Sequence, residues 1–358
     1  IFHAIFVLEG RQWWRGQPPP APGVSAVPWE SLPFLERSRL AWSHGPAEFW
    51  NKIRDVSPSS LTASLGFMGL TILLGVIRWR MVLRVHGLPL SFWRATEISL
   101  VAQFFNSFLL GSTGGDVLKA VYAARETRHQ KTEAVVSVLV DRLLGLFAIL
   151  LFAVLMMFPN LALLGAHRRL AFLSVIVAGM FLGCGAVLFL SLWGGLSRTL
   201  PQARRWLARL PKGAELEKAL NACRPVGRKP GVLLQTLAVS MALNVCCVLQ
   251  VLSLCRGLGL QIDARSVFVV VPIIICIAAL PIAPSGLGGR ENLYVWMLAV
   301  PGINVPAVDA LSLSLLAYAG FLAWSVIGGI VYLARKERDH LTPEVMEKET
   351  TLQQDSAK

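Results

Sequence analysis

Residues 134–158 read AVVSVLVDRLLGLFAILLFAVLMMF, an apolar run interrupted only by Ser137, Gly145 and the pair Asp141-Arg142. A helix crossing the hydrocarbon core of a bilayer needs roughly 20 such residues, so this stretch reads as a membrane span. Leu61–Ile77, Leu170–Trp193, Val232–Cys255, Val267–Ala283 and Ala307–Leu333 are stretches of the same kind. The whole chain is 54% hydrophobic and only 15% charged, whereas a soluble domain carries about 25% charged residues. The expected fold is an all-α polytopic membrane protein with about six full spanning helices and two re-entrant or broken segments. Eight full spans are the alternative.

The broken segments are marked by glycine. Gly111-Ser112-Thr113-Gly114-Gly115-Asp116 follows one apolar stretch and Ser285-Gly286-Leu287-Gly288-Gly289-Arg290-Glu291 follows another, with the paired glycines 174 positions apart. The same offset lays Leu61–Ile77 on Gln235–Val251, Ala95–Leu110 on Val269–Pro284, and Ala134–Phe158 on Val308–Tyr332. The repeat is one of hydropathy and breaks, with little residue identity. It divides the chain into a polar, Pro-rich N-terminal segment over 1–58, expected at the interface, a transmembrane domain over 59–335, and a cytoplasmic tail over 336–358. Within the domain, repeat one covers about 60–158, a connector 170–193, and repeat two about 232–333. Residue 1 is Ile, so the start is expected to be processed or truncated.

The net charge of +13 falls mainly in loops between spans, as positive-inside topology requires. Nucleic acid is therefore not an expected partner, and a multi-pass place in the cell (inner) membrane is. Loop charge also separates the two threadings. Eight spans would put Arg78, Arg80, Arg84 and Arg94 outside. Re-entrant segments put them inside with Lys119, Arg125, Arg128 and Lys131, and invert the two units. Inverted repeats whose broken helices meet near the midplane are a transporter architecture. Glycines that merely let helices pack closely would account for the breaks but not for the charges beside them.

Those charges define the candidate site. Non-helical backbone at membrane depth survives only inside protein or beside a watery cavity. The expected polar lining is Asn106, Ser112, Gly114, Gly115, Asp116 and Lys119 at the first break, Asp141 and Arg142 in the span, and Ser285, Gly288, Gly289, Arg290 and Glu291 at the second. Asp116 reads either as a helix cap or as part of a turn that offers N–H groups to an anionic head group, with Lys119 as counter-charge. Asp141-Arg142 reads as a membrane-edge pair with a snorkelling Arg, or as a phosphate contact. Arg290-Glu291 reads equally as an ion pair, mutual or with Asp116, and as a substrate contact. Arg78-Trp79-Arg80 reads as an interfacial anchor, and Glu97 as facing water. No nucleophile–base set, metal-ligand spacing or cofactor fingerprint is present, so no catalytic residue, metal or cofactor is expected. Five of the six cysteines lie in apolar spans as small hydrophobes.

The three patterns Asn106…Gly111-Ser112-Thr113-Gly114-Gly115-Asp116-Val117-Leu118-Lys119, Asp141-Arg142-Leu143-Leu144-Gly145 and Gly286-Leu287-Gly288-Gly289-Arg290-Glu291 together resemble the lysylphosphatidylglycerol synthase transmembrane-domain family, also called flippase-like or UPF0104 membrane proteins. Arg78-Trp79-Arg80 fits the family's first-helix ending, and the likeness covers roughly residues 50–335. Leu110 stands where a proline often precedes the glycine run, Lys119 where some members have Arg, and Asp141 where some have Glu. The resemblance implies a lipid-handling domain, associated in some members with flipping aminoacylated phospholipid. Members that also make the lipid carry a large soluble transferase domain; Arg335–Lys358 is too short for one, so aminoacyl transfer from tRNA is not expected.

The leading expectation is a flippase or transporter for an anionic or polyprenyl-linked lipid, with membrane lipids as its partners. The alternatives are a membrane transferase acting on a lipid-linked head group, and a non-catalytic membrane partner of a separate lipid synthase.

Overall fold

The structure, a computed structural model, describes residues 6–7, 10–11, 14, 28–108, 114–126, 131–193, 224–279 and 289–334. Every element among them is helical. In chain order the main helices are α1 (Phe34–Arg54), α2 (Pro58–Val85), α3 (Phe92–Phe108), α4 (Gly114–Glu126), α5 (Lys131–Met157), α6 (Arg168–Trp193), α7 (Pro230–Gly257), α8 (Ala264–Ala278), α9 (Gly289–Leu298) and α10 (Ala307–Leu333). Five stretches are long and apolar enough to cross a membrane: Pro58–Val85, Glu133–Ala166, Arg168–Phe189, Pro230–Gly257 and Ala307–Leu333. The sixth apolar stretch of the sequence is represented among the described residues by the shorter helix α8, with Pro272 inside it.

α2 and α7 share their construction. Each has proline in its first turn, where the missing N–H breaks no helical bond. Each ends with a glycine in the left-handed region, Gly87 at φ 76° and Gly259 at φ 70°. Leu88 N then donates to Leu83 O at 2.9 Å, and Leu260 N to Cys255 O at 2.9 Å, the bond that closes a helix when glycine follows it. The two helices lie against each other in opposite directions. Gly257 meets Val56 and Ser60, Gly75 faces Leu243, and Arg78 reaches Ser240.

α3 and α4 form a hairpin. At its closed end Gly115 N donates to Asn106 Oδ1 at 2.9 Å, and a Cβ on Gly115 would run into the Ala102 carbonyl oxygen. At its open end Arg94 Nε donates to Glu126 Oε1 at 2.5 Å, so the chain leaves the hairpin at the level where it came in. Length agrees: 17 and 13 residues make about 26 and 20 Å of helix, short of a hydrocarbon core of about 30 Å. The glycine turn itself, residues 109–113, lies outside the described residues, as does the second turn, 280–288.

The pairings repeat with the halves exchanged. α3 packs on α10 as α8 packs on α5, and α4 packs on α5 as α9 packs on α10. α10 comes so close to α3 that a Cβ on Gly328 would strike the Leu100 carbonyl oxygen. One apolar core gathers α5–α10, and a second joins α2, α3 and α4 around the fully buried Trp79. α6 lies outermost, with Phe172, Val175, Leu182 and Phe189 exposed, the side presented to lipid. α1 turns Phe34, Leu35, Trp42 and Trp50 outward while Ala41 is buried in a small cluster with Phe6 and Leu311.

Candidate functional site

Adjacent residues on a helix point about 100° apart, and Asp141 and Arg142 of α5 accordingly serve different partners. Asp141 accepts from Arg78 Nε at 2.8 Å and from Arg78 Nη2 at 3.4 Å, and Lys119 Nζ lies 3.7 Å from its second oxygen. Arg142 pairs with Asp116. The charges of α2, α4 and α5 thus form one interlocked cluster. Arg78 and Asp141 side chains retain only 14% and 9% exposure, and charges this deep in apolar surroundings persist only when paired.

Small and aromatic neighbours shape the cluster. Gly145, one turn beyond Asp141, presents bare backbone to the Arg78 guanidinium. Arg78 Nη1 donates to Ser240 Oγ at 3.3 Å, tying the cluster to α7. Lys119 Nζ sits 4.1 Å above the Trp79 ring, an arrangement that holds a desolvated ammonium. The Ser99 hydroxyl is buried with no hydrogen-bond partner among the described residues.

Arg78, Lys119, Asp116, Asp141, Asn106 and Ser99 all face one cavity of about 210 Å³, whose apolar wall includes Ile72, Val76 and Phe321. Pockets that enclose a whole small ligand run from about 300 Å³ upward. This one suits a polar head group with the rest of its molecule outside.

The second break carries a smaller cluster. Arg290 Nη2 donates to Glu291 Oε1 at 2.9 Å, and the guanidinium lies 4.7 Å over the Tyr318 ring of α10. Glu291 is 3% exposed. Of the ion pairs open to Arg290, the mutual one with Glu291 forms and the cross-repeat one with Asp116 does not, Asp116 being held by Arg142. Gly289 opens α9; Ser112, Ser285 and Gly288 lie outside the described residues.

One expectation needs correction. Arg78-Trp79 is not an interfacial anchor, because α2 continues to Val85, well past the apolar stretch that ended at Ile77, and carries both side chains inside the bundle. The available signal was an acid in a neighbouring span with no adjacent partner. Arg80 stays out of the cluster, with Nε donating to Leu90 O at 3.1 Å and the guanidinium over Phe92. Glu97 does face water, with its side chain 44% exposed, and pairs there with Arg94 at 2.9 Å.

Residues 38–335 match the family described as lysylphosphatidylglycerol synthase TM region. The chain is also similar to a UPF0104 membrane protein of Methanothermobacter thermautotrophicus, 24% identical over 313 residues that cover 79% of this chain and 86% of the relative. Apolar helices of spanning length and a family match over most of the sequence lead to one conclusion: this multi-pass integral membrane protein belongs to the lysylphosphatidylglycerol synthase transmembrane-region family.

Proposed function

We propose that this chain is a flippase for an anionic lipid, a phospholipid or a polyprenyl-linked one, whose phosphate-bearing head group enters the cavity between α2, α3, α4 and α5. The observation that carries the reading is the lining of that cavity, where the Arg78 guanidinium and the Lys119 ammonium converge with Asn106 and Ser99 beside Asp116 and Asp141. The oxygens of a phosphodiester monoanion suit a guanidinium and an ammonium held together in this way. The unpartnered Ser99 hydroxyl offers a further donor.

The antiparallel packing of α2 on α7 and the exchanged helix pairings support two inverted units about one site, the arrangement that lets a site open to either side in turn. The cavity's size supports a mode in which acyl or polyprenyl chains stay in the bilayer. On this reading α1 lies at the head-group level of the cell membrane, with Trp42 and Trp50 as its contacts.

Reconstitution tests it. Purified protein in phosphatidylcholine vesicles is expected to speed the passage of fluorescent phosphatidylglycerol, or of a fluorescent polyprenyl phosphate, from the inner to the outer leaflet. Passage of both probes at the rate of protein-free vesicles would refute it.

A further inference from the structure

The two charged clusters are joined by a pair of stacked rings. Phe321 of α10 forms part of the cavity wall. Tyr318, one turn earlier, stacks on it with ring centroids 5.9 Å apart and planes 14° from parallel. The Arg290 guanidinium in turn lies 4.7 Å from the Tyr318 ring centroid. The cavity is thus linked to the second cluster through these two rings.

We infer that the Tyr318–Phe321 stack is a gate between two anion stations, the cavity on one side and Arg290 on the other. The inference rests on the lipid-transport reading above and adds a second station and the element that separates it from the first. An aromatic face carries negative charge density. The stack therefore attracts the guanidinium and repels a phosphate, which makes it a barrier to the ligand for as long as it is closed. Arg290 is only partly committed. Glu291 holds Nη2, while Nε is buried with no hydrogen-bond partner among the described residues. A ring that swings away from Arg290 removes its cation–π contact and frees the guanidinium to turn its planar donors to the phosphate oxygens of an arriving head group.

The frame on which the rings sit is fixed. Ser325 Oγ, two turns beyond Tyr318, donates to Gln103 O at 3.2 Å and lies 2.7 Å from Ser107 Oγ, which ties α10 to α3. The moving parts are then the side chains, not the helix.

The test separates head-group binding from transfer. Wild type, Tyr318→Leu and Arg290→Lys are compared for equilibrium binding of fluorescent phosphatidylglycerol in detergent and for its transfer between leaflets in phosphatidylcholine vesicles. Arg290→Lys keeps a cation against Glu291, so the buried carboxylate stays neutralised and the fold is retained. Binding is expected to be unchanged in Tyr318→Leu, whose ring is not part of the cavity lining, and the transfer rate of Arg290→Lys, which alters the second station itself, is read after correction for the lipid it binds. Tyr318→Leu should transfer lipid several-fold faster than wild type, and Arg290→Lys several-fold more slowly. Transfer by Tyr318→Leu at or below the wild-type rate, or by Arg290→Lys at the wild-type rate, overturns the gate and leaves the transport reading intact. Wild type that does not transfer lipid overturns both.

Discussion

Arg78 and Asp141, 63 positions apart, close a 2.8 Å ion pair between α2 and α5 in the interior of the helix bundle. Breaking a buried pair by removing one partner costs about 3–5 kcal/mol, chiefly because the other charge is stranded. Here the two partners are not equivalent. Asp141 has a second cation, Lys119 Nζ at 3.7 Å, whereas Arg78 has only the neutral Ser240 beside it. Asp141→Asn therefore strands two cations, while Arg78→Gln leaves a carboxylate that Lys119 still neutralises. Thermal unfolding in detergent should show Asp141→Asn destabilised by the full buried-pair cost and Arg78→Gln by distinctly less. Equal losses would mean that Lys119 does not compensate.

Five spans were legible because they depend on local composition, apolar runs of sufficient length; the glycine turns lie outside the described residues. The partners were not. Nothing near Arg78 distinguishes it from Arg80, which bonds Leu90 O instead of entering the cluster, and the helix register that separates them is set by packing across the bundle. Asp141 and Arg142 could be read as pointing apart, but which of Arg78, Lys119 and Asp116 each would meet depends on how α2, α4 and α5 close together. The pairing of Arg290 with Tyr318 was illegible for the same reason, since it joins α9 to α10 through a tertiary contact.

The hairpin's closed end makes a prediction about a single methyl group. A Cβ on Gly115 would collide with the Ala102 carbonyl oxygen and crowd Asn106, whose side chain accepts the Gly115 N–H. Overpacking a tight contact costs about 1–3 kcal/mol, so Gly115→Ala should lower the unfolding temperature and spread the hairpin. Gly179→Ala in α6 is the matched control, with open space around the added methyl. There the gain in helix propensity, about 1 kcal/mol, should leave stability equal or higher. Equal effects at both sites would show that the close approach at Gly115 is not formed.

His86, just beyond the end of α2, has a buried Nε2 with no hydrogen-bond partner among the described residues. Burial holds its pKa below the ordinary 6.5, with Glu133 opposing the shift. As pH falls below about 6.5 the unfolded chain takes up this proton before the folded one, so folded stability declines. Unfolding temperatures measured between pH 7.5 and 5 should drop for wild type, and His86→Gln should flatten part of that slope. A His86→Gln slope identical to wild type would assign the whole acid effect to other groups.

Sidedness follows from the contact between Arg94 and Glu126 at 2.5 Å. If α3 and α4 re-enter, the loop before α3 and the start of α5 lie on one face of the membrane. If instead each segment crossed, those two positions would still share a face only by crossing twice, which 13 residues of α4 cannot do at about 20 Å. Single cysteines at Ser91, Glu133 and Pro301, placed in a background without native cysteines, avoid the Arg94–Glu126 contact itself. An impermeant maleimide applied to right-side-out vesicles should label Pro301→Cys alone or the other two alone. The opposite orientation should reverse the pattern. Ser91→Cys and Glu133→Cys labelled from different faces would exclude the hairpin. Pro301→Cys labelled with them would retain the hairpin but exclude inversion of the second unit, and with it the alternating geometry on which the transport reading draws.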